Sequence, residues 1–284
     1  MSVTVKAPAK VNLLLDVAGR RADGYHLIDS IFQTIDWYER VTVETADTLC
    51  FSCTGGAPLD ESNTAVKAAR LFAAHVGCEA NFRITVEKHV PMQAGLGGGS
   101  ADAAGVLVAL NRLTGAGLSV GTLCEIGEKI GADVPFCIRG GTALGTDIGT
   151  TLTPIKPFVH GCFVIVKPAC GVSTPEAYRL VDHATDAAHP SATAFIQALE
   201  ADDYATMAAL MQNTFEGALQ LPECMAAKKQ LLQHGAMAAC MSGSGSAVFG
   251  WFDDVNTAEQ CAQTLAPQYV RVQVCRPCRG VVIE

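Results

Sequence analysis

Two folded domains, each mixing strands with helices, are what this sequence predicts. At 284 residues the chain is long for one average domain and suits two, at roughly 100–200 residues each. Apolar and polar residues alternate through its first third in the manner of strands. That pattern breaks at TPIKP, after which FVIVKP opens a fresh strand. The expected division is therefore 1–156 and 157–284. With 49% apolar and 17% charged residues, the chain has no mark of disorder and can bury a sizeable core.

Taken in order, VTVKAPAKVNLLLDV and ERVTVETADTLCFSC read as strands, with the polar RRADGYH as a loop between them. From Asn63, NTAVKAARLFAAHVG repeats apolar residues at helical spacing and stops at Gly77; FRITVEKHV then alternates like a strand. Pro91 ends that strand, Gly95 to Gly99 form a loop, and Ser100 reads as the N-cap of an alanine-rich helix. VGTLCEIGEKIG reads as a further helix ahead of GADVPF. The remainder predicts strands near Phe163 and Ala247 and helices over 194–219 and 257–265.

A formal net charge of −8 repels a nucleic-acid backbone or an anionic membrane surface, so an anionic ligand needs a locally positive pocket. Asn12, Asp16 and the charged RRADG segment interrupt the apolar N-terminus and argue against export. GAMAACMSGSGSAVFGWF is barely long enough to span a bilayer, and its glycines and serines suit a buried strand, loop and strand better. The expectation is a cytoplasmic protein with reduced thiols. Cys50 with Cys53, and Cys275 with Cys278, share the CxxC spacing of zinc ribbons, but Cys50 follows a strand-like run and lacks the glycine knuckle that turns two thiolates onto one ion.

The sharpest local signal is GLGGGS leading into a helix. Glycines let backbone N–H groups converge on an anion, and a helix N-terminus adds partial positive charge. It is neither a Walker A loop, which ends in GK[ST], nor a dinucleotide fingerprint, which follows the first strand of a βαβ unit. A plain flexible turn is the competing reading. MSGSGS repeats the composition before an apolar strand, where a simple turn serves equally well on local grounds.

Taken together, PAKVNLLLDVAGRRADGYH, PMQAGLGGGSADAA, GADVPFC and MSGSGSAVFG resemble, in order and spacing, the motifs of the GHMP kinase superfamily. RADGYH and GADVPF are similar to the branch that acts on the cytidine diphosphate derivative of methylerythritol. The resemblance implies a two-domain α+β fold, with an N-terminal half like ribosomal protein S5 domain 2 and a ferredoxin-like C-terminal half. It also implies a cytoplasmic enzyme of non-mevalonate isoprenoid precursor synthesis, monomer or homodimer, that uses ATP and Mg²⁺ to phosphorylate the 2-hydroxyl of that small molecule.

By the same resemblance, Asp133 is the general base and Lys10 the cation beside it, stabilising the developing alkoxide. Pro91, Met92, Gln93, Ala94, Gly95, Leu96, Gly97, Gly98, Gly99 and Ser100 hold ATP, with Asn63, Lys88 and Asp102 as nucleoside contacts. Asn12 holds the substrate near the transferred phosphoryl group, Tyr25 stacks on cytosine, and His26 pairs with the base edge. Thr174 binds the diphosphate end, Tyr178 stacks on the other face, and Gly243 to Ser246, Gly243 and Ser244 foremost, close the site. Thr150 stands where the family has a glutamate before LTP. No metal-ligand cluster is apparent, so Mg²⁺ is expected to arrive with ATP. Other readings are a GHMP kinase for mevalonate or homoserine, a nucleic-acid-binding module, which the charge opposes, and a zinc-organised interaction protein.

Overall fold

The computed structural model describes residues 1–56, 58, 60–184 and 188–284. Its strands and helices in chain order are β1 (Ser2–Arg20), β2 (His26–Thr45), β3 (Cys50–Cys53), α1 (Thr64–Val76), β4 (Phe82–Glu87), α2 (Gly98–Thr114), α3 (Val120–Glu128), α4 (Val134–Arg139), β5 (Thr142–Thr146) and β6 (Thr151–Pro154). There follow β7 (Cys162–Lys167), α5 (Thr174–Val181), α6 (Ala192–Glu200), α7 (Tyr204–Leu210), α8 (Thr214–Leu219), α9 (Pro222–Gln233), β8 (Ala238–Met241), β9 (Val248–Phe252), α10 (Val255–Leu265), β10 (Arg271–Cys275) and β11 (Val282–Ile283).

One sheet runs β11-β1-β2-β4-β3, with β5 pairing with β2 and β6; the other runs β10-β7-β9-β8. Every pairing is antiparallel except β3 with β4. β1 and β2 form one long hairpin whose register shifts between Pro8 and Ala9, Asn12 and Leu14, and Val17 and Gly19. Such bulges bend a strand and re-aim its side chains, and the middle one adjoins Lys10 and Asn12. Helices α1 to α4 cover the first sheet around a core of Val5, Val41, Phe72, Ile84 and Leu107. A second core, with Leu13, Ile35, Phe163, Phe249 and Trp251, fills the space between the two sheets.

The small residues of α2 have a packing reason. A Cβ on Gly105 would lie 2.9 Å from Val41 Cγ2 and 3.2 Å from Ala7 Cβ. The helix thus sits close on β1 and β2, which carries its N-terminus to Lys10. Ser100 does not cap it: the helix starts two residues earlier, with Gly97 as N-cap at φ 71° and Ser100 inside the first turn. Only glycine enters that left-handed conformation without strain.

The helical stretch expected over 194–219 is divided into three helices, α6, α7 and α8. Asp203 Oδ1 accepts from Thr206 N at 3.1 Å and Asn213 Oδ1 from Phe215 N at 2.9 Å, so each side chain starts a new helix within that stretch. The strand, loop and strand expected near Ala247 are β8 and β9, both buried throughout. Cys50 and Cys53, three apart on a strand, project to opposite faces of β3 and cannot converge on one ion. Among the described residues no helix is long and apolar enough to cross a membrane.

Candidate active site

Lys10 is nearly buried on β1, and its environment is built by its neighbours. Its Nζ donates to Asn12 Oδ1 at 2.8 Å and lies 3.3 Å from Asp133 Oδ2. Asn12 Nδ2 donates to Ser30 Oγ at 2.8 Å, and Ser30 Oγ to Leu14 O at 2.8 Å. Both ends of the Asn12 amide are thus engaged inside the protein, where it orients the lysine. Asp133 occupies the N-cap position of α4, yet its side chain makes no capping bond. The capping role that its local sequence allowed is unused, and a carboxylate 33% exposed faces the cation and the cleft.

The two glycine clusters lock together beside this pair. Ala247 N donates to Ala94 O at 3.1 Å, Ser242 Oγ to Gly95 O at 2.9 Å, and Lys10 N to Leu96 O at 2.9 Å. Gly95, at φ 72°, passes so close to the β8–β9 turn that an added Cβ would sit 1.9 Å from Ser242 O. Asn213 braces the turn from behind, its Nδ2 donating to Met241 O at 2.7 Å and Gly243 O at 2.8 Å. Of the closing segment only Gly243 and Ser244 face the cleft. Ser246 turns away, because its hydroxyl donates to Cys170 O.

On the nucleotide side the expected contacts Asn63, Lys88 and Asp102 line the cleft, with their polar atoms already engaged except for Asp102 Oδ1. Asn63 caps α1 through Oδ1, which accepts from Ala65 N at 2.9 Å, while Nδ2 donates to Pro58 O at 2.8 Å. Lys88 Nζ donates to Asp102 Oδ2 at 2.7 Å and touches Glu39 Oε1. Glu39 is wholly buried and also accepts from His89 N at 2.6 Å. No local pattern marks it, since a glutamate within a strand reads as a solvated position. Among the described residues Glu39 Oε1 and Asp102 Oδ1 are buried without a hydrogen bond, so the charge of Lys88 alone holds Oε1.

Burial pulls the Lys88 pKa down, but the two carboxylates outweigh it and the net shift is upward. Burial pushes Asp102 from 3.8 up to about 6, against the pull of Lys88. The folded carboxyl therefore holds its proton more tightly than the unfolded one. The stability it contributes is full below about pH 4 and is lost as pH rises through about 6. Asp102→Asn abolishes that titration, so its stability relative to the parent is expected to rise across this window by on the order of 2 kcal/mol. Urea unfolding at both ends of the window measures it; an unchanged difference would show that Asp102 is already ionised at the acid end.

At the far end of the cleft, α5 lies against the RRADGYH loop. Thr174 Oγ1 is 3.1 Å from Ser244 Oγ. Tyr178 stacks on His26, with ring centroids 4.5 Å apart, and meets Phe215 edge-on at 5.0 Å; burial, followed by the charge of Asp133, pushes its hydroxyl up to about 12. Its ring neighbours are thus His26 and Phe215, while Tyr25 is largely exposed. Asp182, which follows α5, meets His26 Nε2 at 2.6 Å and Arg20 Nη1 at 3.3 Å. Arg20, Asp182 and Phe215 line the cleft without having been singled out in the sequence; only the fold brings them to it.

The expected catalytic, nucleotide and substrate residues all line one cleft of about 1410 Å³, with Gly245 and Ser246 of the closing segment and Thr150 outside it. Among the described residues no group of three or more His, Cys, Asp or Glu could hold a metal ion. The chemistry available is a lysine–carboxylate pair, a backbone anion cradle at a helix N-terminus, and an aromatic end.

Residues 63–141 match the GHMP kinases N terminal domain and residues 195–271 the GHMP kinases C terminal. A 4-diphosphocytidyl-2-C-methyl-D-erythritol kinase from Clostridium botulinum is 40% identical over 96% of this chain and 99% of its own length. A crystal structure of 4-(cytidine 5'-diphospho)-2C-methyl-D-erythritol kinase superposes with a TM-score of 0.81 at 33% identity, covering 96% of this chain and 98% of that one. A homoserine kinase from Cytophaga hutchinsonii shares the fold, with a TM-score of 0.78 at 20% identity over 100% of this chain and 97% of its own. The chain therefore belongs to the GHMP kinases, in the family of the 4-diphosphocytidyl-2-C-methyl-D-erythritol kinases.

Proposed function

We propose that this enzyme transfers the γ-phosphate of ATP to the 2-hydroxyl of 4-diphosphocytidyl-2-C-methyl-D-erythritol, a step of non-mevalonate isoprenoid precursor synthesis. The observation that carries the reading is the Lys10–Asp133 pair, 3.3 Å apart, set beside the glycine cradle in a cleft with an aromatic far end. Asp133 takes the proton of the attacking hydroxyl; Lys10 lies against both the alkoxide and the transferred group; backbone N–H groups of Gly95 to Ser100 hold the phosphates. Mg²⁺ enters as part of the nucleotide.

The halves 1–156 and 157–284 divide this work: Lys10, Asp133 and the cradle come from the first, Thr174, Tyr178 and the β8–β9 turn from the second. The enzyme is taken to be cytoplasmic and a monomer or homodimer; its net charge of −8 supports the absence of nucleic-acid and anionic-membrane partners.

ATP turnover with the cytidine compound, mevalonate, homoserine and no acceptor tests the reading. Turnover confined to the first is expected. Turnover with another alcohol would remove the cytidine assignment, and none with any would remove the kinase one. Tyr25→Ala is expected to raise KM for the cytidine compound by about tenfold or more, since base–aromatic stacking is worth roughly 1–3 kcal/mol, with KM for ATP unchanged. An unchanged KM for the cytidine compound would exclude stacking.

A further inference from the structure

The face of α5 turned to the cleft carries Thr174 and Tyr178, and Asp182, the C-cap with helical backbone, continues it at the same spacing of four. The first two are expected contacts, whereas Asp182 has no assigned role. It meets Nε2 of His26 at 2.6 Å, while Tyr178 stacks on the same ring at 4.5 Å and 18°. The imidazole is therefore held both in its plane and on its face. Its other nitrogen, Nδ1, makes no hydrogen bond among the described residues, and His26 lines the cleft.

We propose that Asp182 is a positioning residue for base recognition, binding His26 through Nε2–H so that Nδ1 is offered to the substrate as a hydrogen-bond acceptor. A carboxylate can only accept, so Nε2 must carry a proton and the neutral ring keeps its lone pair on Nδ1. That lone pair suits the 4-amino group of cytosine. The carbonyl oxygen of uracil at the same position would set one lone pair against another. The cytosine-over-uracil choice is thus made in part by a residue that does not touch the base. The inference rests on the cytidine reading of the cleft.

The test compares the wild-type enzyme with Asp182→Ala and Asp182→Glu, using the cytidine diphosphate compound and its uridine counterpart as acceptors. Asp182 is part-exposed and its side chain caps no helix, so circular dichroism should show an intact fold. For Asp182→Ala, KM for the cytidine compound is expected to rise about tenfold, the size of one charge-assisted hydrogen bond, with kcat and KM for ATP nearly unchanged. The cytidine-to-uridine preference should fall by a similar factor, and Asp182→Glu should restore much of it. In ¹⁵N spectra above pH 8, the His26 ring should be the Nε2–H tautomer in the wild type and a mixture in Asp182→Ala. An unaltered preference, a lower KM in the variant, or a wild-type ring protonated on Nδ1 would overturn the inference. Failure of the wild-type enzyme to use either compound would instead overturn the cytidine reading.

Discussion

Asp133→Asn is expected to lower kcat by about 10²- to 10⁴-fold, the usual contribution of a positioned general base, while leaving the fold and both KM values nearly unchanged. The asparagine keeps the shape of the aspartate and can still accept from Lys10 Nζ, which lies 3.3 Å from Asp133 Oδ2; it only loses the ability to take a proton. Because Asp133 makes no capping bond to α4, the substitution removes no helix contact, and thermal unfolding of the variant separates the cost of leaving Lys10 without its carboxylate from the loss of the base. ADP release under saturating ATP and acceptor measures it. Near-normal turnover would mean that positioning and charge carry the reaction without a base, as a loose phosphoryl-transfer transition state permits.

Gly95→Ala is expected to be the most damaging single methyl group in the site. Its Cβ would fall 1.9 Å from Ser242 O and 2.8 Å from the carbonyl carbon, and the residue sits at φ 72°. Both obstacles are backbone, so no side chain can swing aside. Either the β8–β9 turn or the phosphate loop must move, at a cost of about 3–5 kcal/mol, and KM for ATP should rise by more than about tenfold as the cradle loses its geometry. Gly115→Ala is the control, because Gly115 has φ 66° with nothing within 4 Å of an added Cβ. It should cost only the left-handed strain of about 1–2 kcal/mol and leave KM for ATP alone. Equal effects from both variants would show that strain, not contact with Ser242, is what matters.

What was legible in the sequence was local. Gly77 ends α1 in the left-handed conformation, as a glycine after a helical run should, and the two glycine clusters announced their turns. The misreadings arose where one residue type serves two purposes. Ser100 has the chemistry of a cap, but the flexible Gly97 precedes it and starts the helix earlier. Asn63, read as a nucleoside contact, does line the cleft, but its bonds to Ala65 and Pro58 could not be foreseen from its neighbours in the chain. Glu39 and Asp182 matter through partners distant in the chain, Lys88 and His26, and no local pattern encodes such a meeting. The long β2 strand was only half visible because HLIDSIFQTIDWY is buried on both faces over much of its length and so lacks the alternation that marks a half-exposed strand.

The bonds that join the two glycine turns also bear on the entropy of capturing a nucleotide. Glycine has more conformational freedom to lose than any other residue, and immobilising a slack loop at the moment of binding would subtract about 1–2 kcal/mol per residue from affinity. Here Ala94 and Gly95 are tied through their carbonyls to Ala247 and Ser242, and Leu96 to Lys10. The ordering is thus completed once, when the chain folds, and is not repeated at each catalytic cycle.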